Sequence, residues 1–291
     1  MKKYILWFVA IILMFGAVVY QRATHPTNPY KGKLHFDIQD FKYSLKRSQE
    51  TTDEAEIVLP VPNIPKFDAV LHYKRFGTKD TLTSLPFKLQ SGKYFAKLPI
   101  QPSAGKISYH VTLDANGKSF RIPEDDKEEI VLRYKDPVPA WVLIPHILFM
   151  FIAILFGIRA GLSALFDTVT MKKWSMVALI FMTVGGMILG PMVQKYAFGA
   201  YWTGWPFGQD YTDNKMLLMW LVWVMVFAFA KWNDPSKLKF NRSIVAAATV
   251  VMLLMYLIPH SMGGSTLDYD KVDKGIDPKE AIKTGSNINQ N

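Results

Sequence analysis

Two histidines recur in the same tetrapeptide, Leu143-Ile144-Pro145-His146 and Leu257-Ile258-Pro259-His260, each at the edge of a long apolar run. Imidazole ligates iron, copper or zinc and exchanges protons near neutral pH. An ionisable side chain set into an apolar segment marks a functional site by default. Three chemistries are open to such a pair. Two imidazoles on facing helices are the axial ligands a b-type haem requires; Ala153, Gly157, Gly186 and Gly190 would make room for the ring, and Lys195 and Lys215 would meet its propionates. Alternatively the pair holds copper or zinc, with a third ligand from Asp210, Asp213 or Met262. In the third reading the histidines bond to carbonyls or water at an interface and ligate nothing. Proline marks helix ends, so the repeated tetrapeptide by itself is a coincidence of helix termini. Depth and helix face carry the argument instead.

The face is read from helical steps. From His146, steps of three or four reach Met150, Ala153, Gly157, Gly161 and Ala164, and small residues let helices approach closely in lipid. From His260, the steps run back through Tyr256, Leu253, Thr249 and Ala246, so Tyr256 joins the candidate cofactor-binding set. Gly186-x-x-x-Gly190 is a further close-packing signal.

Five apolar stretches must position these residues: Tyr4–Tyr20, Val138–Ile158, Trp174–Met192, Met216–Ala230 and Ile244–Ile258. Each is about long enough to cross a hydrocarbon core, though the last two need interfacial flanks. A soluble core helix would carry a polar face, and these do not. The first follows Lys2 and Lys3 but ends without a small-residue cleavage pattern, so it is read as an uncleaved anchor. One set of termini and loops carries Lys2, Lys3, Arg159, Lys172, Lys173, Lys231, Lys237, Lys239 and Arg242 against only Asp167 and Asp234; the segment Lys195 to Lys215 balances two Lys with two Asp. The basic side is therefore expected in the cytoplasm. This predicts a protein of the bacterial cytoplasmic membrane with its N-terminus inside and its C-terminus outside. Both histidines then fall in the outer half, their depths agreeing to within about 5–10 Å.

The formal net charge of +10 is accounted for largely by those cytoplasmic loops, which argues against nucleic acid as a partner. The chain has no cysteine, which excludes disulfides, thiolate metal sites and cysteine nucleophiles. No nucleophile–base pair, phosphate loop or His-Glu-x-x-His motif occurs.

Residues 54–135 read as short strands: "AEIVLPV", "DAVLHYKRF", "SLPFKLQ", "GKYFAKLPI", "KISYHVTL", "KSFRIP" and "EEIVLRYK". Asp114-Ala115-Asn116-Gly117 is a hairpin turn, because Asn-Gly tolerates positive φ. Seven strands in so short a segment predict a β-sandwich. Here "GKYFAKLPIQPSAGKISYHVTLDANGK" resembles the later strands of immunoglobulin-like or fibronectin type III-like bacterial domains, with a Tyr-containing strand ending in "IP", a Gly turn, a "Y-x-V" strand and an Asn-Gly hairpin. The resemblance implies a binding or spacing module without catalytic residues. The whole chain is also similar to uncharacterised bacterial polytopic membrane proteins that join such a domain to a helical bundle; this implies no function.

The expected fold class is a membrane protein, α plus β. It divides into an anchor (1–20), a linker (21–49, with His25 and His35 exposed), an extracytoplasmic β-sandwich (50–137), a four-helix transmembrane bundle (138–260) and a polar, disordered tail (261–291). His72 and His110 read as strand-surface residues. The aromatic outer loop "KYAFGAYWTGWPFGQDYTDNK" supplies Trp202 and Trp205 for a membrane interface, Thr212 or Asp213 as the cap of the next helix, and with Asp210 a lid over the histidines. Two functions follow. The first is a non-enzymatic accessory or binding subunit of a membrane complex, with membrane or extracytoplasmic proteins as partners. The second is a membrane redox protein holding haem or a metal through His146 and His260. A transporter ranks third, since there is no internal repeat or buried charged pathway.

Overall fold

A computed structural model describes residues 2–36, 39–62, 66–260 and 264–283. The chain forms two compact units, one holding residues 1–26, 138–264 and 284–291, the other 27–137 and 265–283.

Among the described residues of the first unit, five helices are long and apolar enough to span a membrane: Lys3–Ala23, Ala140–Phe166, Thr168–Phe198, Tyr211–Phe229 and Pro235–Leu257. They correspond to α1 (Lys2–Ala23), α2 (Ala140–Phe166), α3 (Thr168–Met182) continued by a π-helical stretch (Thr183–Leu189) and α4 (Gly190–Phe198), α5 (Tyr211–Phe229) and α6 (Leu238–Leu257). The sequence reading ends the second stretch at Ile158; the helix continues for two more turns because Arg159 is fully buried in the bundle rather than marking its edge.

Small residues on α2 set the helix spacing. A Cβ on Gly161 would meet the Thr249 side chain at 2.6 Å, and one on Gly157 the Met252 sulfur at 2.4 Å, so α2 lies directly against α6. The expected small-residue stripe faces protein: Ala153, Gly157, Gly161 and Ala164 are all buried. The anchor packs through Leu6, Ala10, Met14 and Ala17, and its Gln21 Nε2 donates to the Tyr256 carbonyl at 2.6 Å. Trp7 of α1 meets Phe156 and Trp174 edge-on. Thus the C-terminal ends of α1 and α6 share one end of the unit with the α4–α5 loop, and the N-terminus of α1 shares the other with the α2–α3 corner.

The second unit holds eleven strands before the bundle: β1 (Tyr30–Phe36), β2 (Gln39–Leu45), β3 (Ser48–Glu50), β4 (Ala55–Leu59), β5 (Phe67–Arg75), β6 (Thr83–Pro86), β7 (Lys88–Gln90), β8 (Lys93–Leu98), β9 (Lys106–Ala115), β10 (Lys118–Ile122) and β11 (Ile130–Lys135). One sheet runs β3-β11-β9-β5-β6 with β10 also on β9, a second runs β4-β8-β7, and β1 pairs β2. All three contribute to one core, in which Leu45, Ile57, Leu71, Leu98, Ile107, Tyr109 and Tyr134 are fully buried. The expected hairpin is present, with Asn116 at φ 54° and Gly117 at φ 79°.

Three expectations are corrected here. The segment read as a linker contains the β1–β2 hairpin, whose alternating Leu34, Phe36, Phe41, Tyr43 and Leu45 enter the core. His110 is not on the strand surface: it is buried, its ring stacks on His72 with centroids 4.8 Å apart, and its Nδ1 lies 3.0 Å from Glu129. The tail is folded from Ser265 to Lys283, where β12 (Thr266–Leu267), α7 (Tyr269–Val272) and β13 (Ile282–Lys283) form a small cluster. Its polar residues are matched to partners in the strands: Tyr269 Oη accepts from the Lys106 N–H at 3.0 Å, and Arg75 clasps Asp273 at 2.7 and 2.9 Å. Residues 284–291 lie outside the described residues.

Candidate functional site

The polar residues at the α4–α5 end converge on α5. Its N-cap is Asp210, whose side chain accepts from the Thr212 N–H at 2.8 Å, not Thr212 or Asp213 as the sequence suggests. This frees Asp213 to point inward. Its Oδ2 accepts from the Thr203 N–H at 2.6 Å, the Thr203 hydroxyl at 3.2 Å and Gln194 Nε2 at 3.2 Å. Gly204 is needed at this point, since a Cβ there would meet the Asp213 Cβ at 2.7 Å. The loop is further closed by Trp202 Nε1 donating to the Trp205 carbonyl and by the Trp205 N–H donating to Asn214 Oδ1. It is folded, as its glycines and proline suggest. Tyr201, Trp205 and Phe207 are exposed.

Two residues beyond Asp213, buried Lys215 reaches α6. Its Nζ donates to the Ile258 carbonyl at 2.5 Å and lies 2.9 Å from His260 Nδ1. A lysine ammonium only donates, so His260 Nδ1 accepts and the neutral ring carries its proton on Nε2. Burial, then the Lys215 charge, push the protonation of His260 well below the ordinary histidine range, and charge on His25 or His146 opposes it further. His146 has the opposite tautomer. Its Nδ1 lies 2.8 Å from the Gly185 carbonyl, which only accepts, so the neutral ring leaves a lone pair on Nε2. His146, His260 and His25 therefore share one electrostatic neighbourhood, with two of them held as one donor and one acceptor. His25, expected to be exposed, is only partly so.

The haem reading does not fit these residues. The space beside Gly186 is filled by Met216, whose sulfur would lie 2.4 Å from an added Cβ, and that beside Gly157 by Met252 and Trp223. Two axial ligands must both present lone pairs, and the Lys215 contact turns His260 the wrong way. For a metal, no group of three or more His, Asp or Glu able to hold an ion occurs among the described residues. Met262 lies outside them. Tyr256 is buried on α6, with its carbonyl bonded to Gln21. From sequence Lys215 reads only as a propionate partner, and Gln194 and Thr203 carry no signal. The signal for Lys215 was its position beside the polar start of α5, one turn inside Asp210.

Protein-family models and curated proteins were both compared with the sequence, and none matches.

Proposed function

We propose that this is a non-enzymatic polytopic membrane protein that presents its β unit, an immunoglobulin-like or fibronectin type III-like sandwich by resemblance, as a binding module for a membrane complex on the outer face of the bacterial cytoplasmic membrane. What carries the reading is that the charged groups at the α4–α5 end are spent on the chain itself. Asp213 braces the loop, Lys215 ties α5 to the end of α6, and His146 ties α2 to the π-helical stretch. Groups used in this way make a scaffold, not an acid–base or nucleophilic centre. The tail supports the topology: residues 265–283 belong to the β unit, so they lie on its side of the membrane, as four crossings between Val138 and Gly264 require. The basic α2–α3 and α5–α6 connections then face the cytoplasm.

The test is cross-linking mass spectrometry on the full chain in native membranes, together with an absorption spectrum of the purified protein. The reading expects a colourless protein whose β unit cross-links reproducibly to one extracytoplasmic or membrane protein at fixed stoichiometry. A Soret band lost in both His146→Ala and His260→Ala would overturn it in favour of the redox alternative. A carboxyl-terminal tag reachable only from the cytosol would overturn the topology.

A further inference from the structure

One row of side chains crosses the large sheet of the β unit. In β5, His72 stands opposite Ser84 of β6 on one side and His110 of β9 on the other. Alternation puts all three on the face turned away from Leu71 and Val111, which are fully buried in the core. The rings of His72 and His110 stack with centroids 4.8 Å apart and planes 19° from parallel. Behind His110, the Glu129 carboxylate accepts from its Nδ1 at 3.0 Å and from Arg121 Nη2 at 3.1 Å.

The His72 ring is held at both nitrogens. Nδ1 lies 2.9 Å from the Ser84 hydroxyl, and Nε2 lies 2.9 Å from that of Thr112, two residues along β9 from His110. A neutral imidazole donates at one nitrogen and accepts at the other, so one hydroxyl gives it a hydrogen and the other takes one. An imidazolium only donates, so on protonation the giving hydroxyl must turn about. The strand held through Ser84 is the last of its sheet, since β6 pairs with β5 alone.

Charge on the row is poorly balanced once the rings ionise. Like charges directly opposite on neighbouring strands repel. The charged groups facing the pair are Glu129, just before β11, and Arg121 of β10, which pair with each other. Lys74 lies on the same face of β5, two residues on, and β6 brings no ionisable residue. With both rings protonated, Glu129 alone faces three cations. Burial, then charge on His110, hold the protonation of His72 below the ordinary value of 6.5. A histidine depressed in this way contributes its stability above the unfolded value and loses it as the pH falls through the folded one.

We propose that the stacked His72–His110 pair is a proton-operated latch on the sheet edge: uncharged, it holds β6 through Ser84, and doubly charged, it parts and loosens β6 from β5. The latch depends only on the fold of the β unit, not on the binding role or the membrane topology given to the chain.

Hydrogen exchange of the full chain in detergent, corrected for intrinsic rates, tests it at about pH 7.5 and about pH 5, the latter still above the range in which the ordinary carboxylates titrate. Residues 82–87 should lose protection by about fivefold in acid, while the β4–β8 ladder of the other sheet keeps its own. His110→Gln leaves an amide to face Glu129 and removes the like charge, so residues 82–87 stay protected at both pH values. Ser84→Ala keeps the charge pair and removes the hold, so their exchange is faster already at about pH 7.5. Equal corrected protection of residues 82–87 at the two pH values would overturn the latch, as would an acid loss that persists in His110→Gln. A loss spread evenly over both sheets would overturn it too, by making the event a general unfolding of the unit.

Discussion

In the β unit the fully buried side chains include Tyr109, Tyr134, Leu71, Ile107 and Leu113, while Lys31, Lys42 and Lys97 lie outside. In the helical unit a charged side chain is fully buried and large apolar ones face outward. Arg159 and Ser163 are fully buried beside Trp223, and Phe8, Phe15, Ile144 and Leu254 face outward. Water drives the first unit together by expelling apolar area. On the reading of its helices as membrane spans, the second sits in lipid tails as apolar as leucine and is held by close approach at small residues and by polar side chains that find partners inside. The same side chain therefore has different value in the two places.

Ile107→Ala removes a fully buried side chain from the strand that bonds to three others, and destabilises the β unit by about 2–5 kcal/mol. Met182→Ala, equally buried in α3, leaves a cavity but forgoes no transfer from water, and costs less. Denaturant titration of the detergent-purified chain, following the strand and helix signals separately, measures both. Equal losses would mean that one packing logic serves both units.

Gly161→Ala comes next. Its Cβ would lie 2.9 Å from that of Thr249, and Thr249 is fixed by its hydroxyl on the Gly157 and Val245 carbonyls. The helices must separate, at a cost of about 1–3 kcal/mol. Gly161→Ala combined with Thr249→Gly recovers most of the loss in the same titration if contact between α2 and α6 is the cause.

In the β unit, Tyr269 is the residue to vary. Its hydroxyl accepts the buried Lys106 N–H and shares its own hydrogen between the Lys106 carbonyl and Gln101, each at 3.0 Å. Phenylalanine leaves a buried backbone donor without a partner, worth about 1–3 kcal/mol. Limited proteolysis should cut residues 265–283 faster, with the membrane helices unaffected.

Legibility in the sequence divides along the same line. Strand alternation and the Asn-Gly turn are local, so all seven strands read between Ala55 and Lys135 are present, one of them as the pair β6 and β7. The β1–β2 hairpin escaped because the proline-broken run before Tyr30 dominates its composition. The tail escaped for a different reason: its polar residues look unsatisfied until Arg75 and Lys106, more than 150 positions earlier, are brought beside them. At the candidate site, the common end and the inward faces of His146 and His260 follow from helix direction and spacing. Which ring nitrogen remains open does not, since Gly185 and Lys215 on other helices decide it. Arg159 misled in the same way, because a charge ends an apolar window whether it leaves the bundle or enters it.

The smallest effect concerns the ionic clasp on the tail, where the β unit resembles an ordinary soluble surface. Arg75 donates to Asp80 at 2.6 and 3.1 Å and to Asp273 at 2.7 and 2.9 Å. These bonds hold both carboxyls below their ordinary value of 3.8. A carboxyl depressed by folding contributes its stability above the unfolded value and loses it as the pH falls through the folded one. The clasp is therefore intact at neutral pH and loosens only below about pH 4. Asp273 is exposed, so salt screens its share. Hydrogen exchange of residues 269–276, corrected for intrinsic rates, should show protection falling in acid and, more weakly, in high salt. Asp273→Asn should flatten much of the acid response while sparing the Tyr269 bonds. An unchanged acid profile in that variant would place the titration elsewhere in the unit.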